Sequence, residues 1–145
     1  MGKLQRIVYW IIMTLLMLIV VFGVIKEANA SGMYNGYWIG ICGAFISVIV
    51  ALSLLLKLKL GLKSFLIGNI TTAVIEVVFI FITSLHYHGL NYIPMSLSEN
   101  PEYRLELVVR SIVLCVIFSF FFLVILLVGR FEKFIHNKRN RSQIQ

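Results

Sequence analysis

One ionisable side chain lies in the middle of a long apolar stretch of this sequence. The stretch, residues 64–85, reads SFLIGNITTAVIEVVFIFITSL and contains Glu76. At about 100° per residue of a helix, three polar residues fall within roughly 60° of arc on the side of the glutamate. They are Asn69, Thr72 and Thr83. A carboxyl group beside neutral oxygen ligands could bind a proton or a cation, or hydrogen-bond to another helix.

The depth of Glu76 makes this polar face unusual. Thirteen residues separate it from Lys63, which places the carboxyl group roughly 20 Å into a hydrocarbon layer about 30 Å thick. Inserting an ionisable group to such a depth costs a free energy on the order of 2.5 to 3.5 kcal/mol. The face should therefore meet protein or water. Three interpretations stay open: structural hydrogen bonding, proton or cation handling, and binding of a charged group on a partner chain.

Arg110 is the candidate counter-charge for Glu76, because it lies about 8 Å inside the fourth apolar segment. The third and fourth segments would run antiparallel, so the two side chains could meet. The sequence favours a local pair instead, because Glu106 lies four residues before Arg110. Arg110 also points about 100° away from the stripe that we expect to pack against the third segment. That stripe is Ser111, Cys115 and Ser119.

Small residues form two adjacent rows in the second apolar segment. Each row repeats at a spacing of four, and the rows are Gly36, Gly40, Ala44 and Gly43, Ser47, Ala51. Because lipid provides no hydrophobic drive for helix association, small residues stabilise helix pairs by allowing close backbone approach. The rows predict tight packing, more often against another helix of the same chain than against a second copy or a foreign subunit.

Composition and segment length predict an all-α integral membrane protein. Of the 145 residues, 60% are hydrophobic and 13% are charged. Four apolar segments are long enough to cross a bilayer as helices, which satisfy their own backbone hydrogen bonds. They span about 7–25, 38–56, 64–85 and 105–128. We expect one four-transmembrane-helix bundle over 1–129, followed by a basic cytoplasmic tail over 130–145.

The basic residues predict the orientation of the bundle. Ten flank the outer ends of the first and last segments or lie between the second and third, against two in the other loops. By the positive-inside rule, the N and C termini are cytoplasmic. An Ala28-x-Ala30 pattern also fits signal-peptide cleavage, but the apolar run before it is long for a signal. The compact architecture favours a bacterial cell membrane.

Few features indicate a cofactor or a reaction. We find no nucleotide loop, no nucleophile with a base partner and no metalloprotease motif, so we expect no enzyme activity and no cofactor. His86 and His88 could share one side of an extended segment, but no third ligand follows at a motif spacing, and we expect no metal site. The basic residues behind the net charge of +7 lie beside apolar segments, which indicates membrane orientation rather than nucleic-acid binding. In the tail, Phe131, Phe134 and Ile135 share one helical face among basic residues, which indicates anionic inner-leaflet lipids as partners.

Two functions fit these features. The first is an accessory, regulatory or protective (immunity-like) subunit that docks a membrane partner through the small-residue rows and the polar face. The second is a homo-oligomeric proton- or ion-coupled transporter or channel that uses Glu76. A short four-helix chain leaves little room for a substrate cavity of its own, which favours the subunit.

Overall fold

All the secondary structure of the computed structural model is helical over the residues that it describes. These are 1–31, 36–55, 58, 60–88 and 101–142. Four helices account for almost all of them: α1 Lys3–Ala28, α2 Tyr37–Leu54, α3 Leu62–His88 and α4 Pro101–Ser142. The all-α prediction is confirmed for this part of the chain.

Each of the four helices is long and apolar enough to cross a membrane, as expected for a multi-pass membrane protein. Their positions agree with the four predicted segments. The last helix differs in length, since α4 continues through the basic segment to Ser142. The predicted tail from 130 onwards is thus, up to that residue, a helical extension of the bundle.

The helices pack in a closed ring, with α1 against α2, α2 against α3, α3 against α4, and α4 against α1. Helices α2 and α4 also touch across the centre of the ring. Because consecutive helices alternate in direction, one end of the bundle holds the start of α1, the end of α4 and the α2–α3 connection. We call this the terminal end, and the opposite end the distal end.

The apolar core is formed by three of the four helices. Its largest fully buried side chains include Tyr9 and Leu16 of α1, Leu52 of α2, and Phe118 and Ile125 of α4. Spacings of three or four residues place these side chains on one face of each helix. In contrast, α3 buries mainly polar side chains. The interior is therefore mainly apolar, and most of its buried polar side chains lie along α3.

A carboxylate closes the N-terminus of α2 at the distal end. Glu27, near the end of α1, accepts hydrogen bonds from the backbone N–H of Gly36 (2.7 Å) and of Ile39 (3.1 Å). Gly36 has a φ of 87°, a left-handed conformation that glycine adopts without steric cost. Gly36, predicted as part of a packing row, therefore starts the helix at a turn.

A second carboxylate closes the N-terminus of α1 at the terminal end. Glu132 of α4 accepts hydrogen bonds from the backbone N–H of Leu4 (3.2 Å) and Gln5 (3.3 Å). The buried side chain of Gln5 donates in turn to the carbonyl of Ile125 at 2.8 Å. Unpaired N–H groups and a partial positive charge make a helix start favourable for a carboxylate. These hydrogen bonds stabilise the packing of α1 against α4.

We expect Glu27→Ala and Glu132→Ala each to lower the free energy of unfolding by about 1 kcal/mol, the usual effect of losing an N-terminal cap. Hydrogen exchange should accelerate in the first turn of α2 for Glu27→Ala, and in the first turn of α1 for Glu132→Ala. Thermal unfolding in detergent and amide exchange measure the two effects. The exposed Glu106 gives a matched control, Glu106→Ala, and an equal loss in that variant would contradict the capping roles.

Candidate functional site

The buried face of α3 is a row of residues spaced four apart. Its buried polar members are Ser64, Thr72, Glu76 and Ser84. Of the residues predicted to form the polar face, Thr72 and Glu76 lie at its fully buried centre, whereas Asn69 and Thr83 lie on its half-buried flanks. Ser64 and Ser84 were not among the predicted residues, although their spacing of multiples of four from Glu76 was a usable signal.

Glu76 pairs with Arg110 in the interior of the bundle. The Glu76 Oε1 atom lies 2.6 Å from Arg110 Nε, with the glutamate side chain 0% exposed and the arginine side chain 29% exposed. Arg110 Nη2 also donates a hydrogen bond to the backbone carbonyl of Gly40. Residues from α2, α3 and α4 therefore meet in one group. We call Gly40, Glu76 and Arg110 the polar cluster.

Arg110 pairs with Glu76 and not with Glu106, the local partner that the sequence favoured. Arg110 belongs to the buried face of α4, which continues through Leu114 and Phe118 at spacings of four. The sequence pattern favoured packing through the neighbouring serine and cysteine stripe, and such a packing face would direct Arg110 away from α3. A buried carboxylate in a low dielectric attracts a guanidinium group more strongly than an exposed one does. Arg110 therefore points inward to Glu76.

Asn69 forms a second polar contact between α3 and α4. Its Oδ1 atom accepts a hydrogen bond from the hydroxyl of Ser119 at 3.3 Å, and its backbone carbonyl accepts from the Cys115 thiol at 3.6 Å. The side-chain amide donates to the carbonyl of Phe65 at 3.0 Å. The serine and cysteine stripe thus borders α3, and Asn69 is engaged in helix packing.

The two threonines of the predicted face donate hydrogen bonds within their own helix. Thr72 Oγ1 donates to the carbonyl of Gly68 at 2.9 Å, and Thr83 Oγ1 donates to the carbonyl of Phe79 at 3.0 Å. Such bonds satisfy the hydroxyl proton without a partner on another helix. By contrast, the Oε2 atom of Glu76 is buried with no hydrogen-bond partner among the residues that the structure describes.

The small residues of α2 meet other helices of the same chain. Gly43 lies so close to α3 that a Cβ atom there would overlap the ring of Phe79, and a Cβ atom at Gly40 would lie 3.3 Å from Arg110 Nη2. Ala44, Ser47 and Ala51 are buried. Except for Gly36, the rows therefore bring α2 close to its own neighbours.

The predicted weak metal ligands are only partly covered by the structure. No group of three or more His, Cys, Asp or Glu side chains comes together in the described part of the chain. His86 belongs to the described residues, whereas the side chain of His88 lies outside them. Cys42 and Cys115 are free thiols.

In chemical terms, the polar cluster is a pair of opposite charges enclosed by three helices. The guanidinium group can compensate one negative charge, and it also fixes the backbone of α2 through Gly40. Oε2 of Glu76 keeps the capacity to accept one more hydrogen bond. No protein-family model, no curated protein and no solved structure matches the chain.

Proposed function

We propose that this chain is a small multi-pass membrane protein that acts by helix association, as an accessory, regulatory or protective subunit of a membrane partner. It inserts with both termini in the cytoplasm of a bacterial cell. The basic residues around the terminal end support this orientation, because positively charged segments stay on the cytoplasmic side.

One observation carries the proposal. The intramembrane groups that could bind a transported ion are engaged inside the bundle: Glu76 pairs with Arg110, and Asn69 bonds to Ser119. A carboxylate that is 0% exposed and already compensated is better suited to holding helices than to exchanging a solute. A bundle whose intramembrane polar groups are paired internally can act by packing against a partner protein.

The surface for that contact differs from the one that the sequence indicated. The small-residue rows of α2 and the polar face of α3 lie against other helices of the chain, so they are not open to a partner. The outward faces carry large apolar side chains, including Trp10, Ile70, Val116 and Phe120. A partner would therefore pack against lipid-facing surface, where shape rather than hydrophobicity selects it.

A transporter is the second candidate, and the Oε2 atom of Glu76 favours it. This oxygen is buried at mid-membrane depth and lacks a hydrogen-bond partner among the described residues. An ionisable group in such a place is a candidate proton or ion site. In a homo-oligomer, each copy would carry the proton or ion through its own bundle at Glu76, because this side chain is 0% exposed.

The mass and composition of the complex extracted from its native membrane in nanodiscs distinguish the two functions. We expect a stoichiometric foreign membrane protein, which would also identify the process. A pure homo-oligomer would contradict the subunit role. It would support the transporter if liposome flux were lost in Glu76→Gln and kept in the exposed control Glu106→Gln. A homo-oligomer without flux would reject both proposals.

A further inference from the structure

A large cavity opens at the terminal end of the bundle. It has a volume of about 1210 Å³ and lies between the first turn of α1, the α2–α3 connection and the C-terminal half of α4. Its walls include the apolar side chains of Phe65, Phe122 and Leu126, and the polar side chains of Arg130, Lys133 and His136. The cavity is thus apolar in one part and cationic in another.

The two parts lie at different depths along α4. Eight residues separate Phe122 from Arg130, which corresponds to about 12 Å along a helix. A bilayer changes from hydrocarbon to polar headgroups over a comparable distance, since the headgroup layers add roughly 5 to 8 Å on each side. The apolar part therefore lies at acyl-chain depth, and the cationic part at headgroup depth.

The two positive charges of Arg130 and Lys133 exceed the one negative charge of Glu132 in the same cavity wall. Glu132 borders the cavity, but its carboxylate oxygens accept hydrogen bonds from the N–H groups of Leu4 and Gln5. Arg130 and Lys133 are exposed and so can turn to a ligand. An arginine and a lysine one turn apart suit a phosphate group, which the guanidinium can bind through two parallel hydrogen bonds.

We propose that this cavity binds one phospholipid with an anionic headgroup. Its phosphate lies between Arg130 and Lys133, and an acyl chain lies against Phe65 and Phe122. Basic pockets between transmembrane helices on the cytoplasmic side are typical sites for such lipids. The inference rests on the proposed orientation, which places the terminal end at the inner leaflet. It does not depend on the identity of any protein partner.

The test uses the purified full-length chain without a partner protein, so that its outcome is independent of the subunit proposal. Native mass spectrometry would measure how much phosphatidylglycerol stays bound relative to phosphatidylcholine from mixed vesicles. We expect a preference of roughly thirtyfold for phosphatidylglycerol, the effect of two basic residues near an anionic headgroup. The preference should fall to within about twofold in Arg130→Gln/Lys133→Gln.

A matched variant removes the same charge elsewhere at the terminal end. Lys63 and Lys138 are exposed and do not line the cavity, so Lys63→Gln/Lys138→Gln should keep the preference. An equal loss in this control would overturn the site in favour of a general surface charge. Displacement by millimolar inorganic phosphate would also overturn the lipid assignment, and circular dichroism checks that both variants are folded.

Discussion

Arg110→Gln is expected to lower the free energy of unfolding by about 3 to 5 kcal/mol, because it leaves a buried carboxylate without its counter-charge. The side chain of Glu76 is 0% exposed, so water cannot replace the guanidinium group. The same substitution removes the charged donor to the carbonyl of Gly40. A change at one position of α4 therefore weakens its contacts with both α2 and α3.

Glu76→Gln should lower the free energy of unfolding less than Arg110→Gln does. In Glu76→Gln, Arg110 keeps its hydrogen bond to Gly40 and remains 29% exposed, so its charge is partly relieved at the surface. Glu76→Gln/Arg110→Gln should recover much of the loss of the single Arg110 variant, because neither charge is then left buried alone. Such a cycle would measure the coupling between the two side chains.

Thermal unfolding in a fixed detergent would provide the four free energies of this cycle. Arg104→Gln is a suitable control, because it removes an exposed arginine near the start of the same helix. If Arg110→Gln were no more destabilising than Arg104→Gln, or if the effects of the two cluster variants simply added, the ion pair would not be a structural element of the bundle.

Gly43→Ala should destabilise the bundle by about 1 to 3 kcal/mol, the usual range for added volume in a packed interior. A Cβ atom at this position overlaps the ring of Phe79, so α2 and α3 would have to separate. Gly40→Ala should cost less, because its nearest neighbour is the end of the Arg110 side chain. Gly43→Leu should prevent the native packing of α2 altogether.

Gly61→Ala provides the control for this series, because nothing lies within 4 Å of a Cβ atom there. Phe79→Leu combined with Gly43→Ala should restore part of the stability by making room at the contact. Unfolding in detergent, followed by tryptophan fluorescence, would rank the variants. Equal stability of the Gly43 and Gly61 variants would show that α2 and α3 do not meet at this point.

This series also changes how a loss of partner binding would be interpreted. Disruption of a complex by Gly43→Leu fits a docking surface on α2, but it fits equally well a bundle that no longer packs. The stability of the isolated variant must therefore be measured first. Substitutions at outward positions, such as Val116 and Phe120, would test association without disturbing the interior.

The sequence predicted the helices well because length and apolar composition are properties of each segment alone. It predicted the burial of Glu76 for the same reason: a carboxylate so far from either end has to face inward. The partner of Glu76 was not predictable in this way. The rotation of α4 depends on how Phe118 packs against Gly68, where a Cβ atom would overlap the ring, and no single helix reveals such a contact.

The capping carboxylates were missed for a related reason. Capping motifs are recognised within about four residues of a helix start, whereas Glu27 lies nine residues before Gly36 and Glu132 lies 128 residues after Leu4. The glutamates look like ordinary residues at the ends of apolar segments. Only the arrangement of neighbouring helices shows which backbone N–H groups they reach.

The ion pair between Glu76 and Arg110 also depends on the order in which the helices are synthesised. Synthesis proceeds from the N-terminus, so α3 with Glu76 is made before Arg110 of α4, which supplies its counter-charge. Glu132, which closes the start of α1, is made later still. Without α4, the first three helices lack both the counter-charge of Glu76 and the carboxylate that caps α1. The native contacts of the interior carboxylate and of the first helical turn therefore both depend on the last helix to be made.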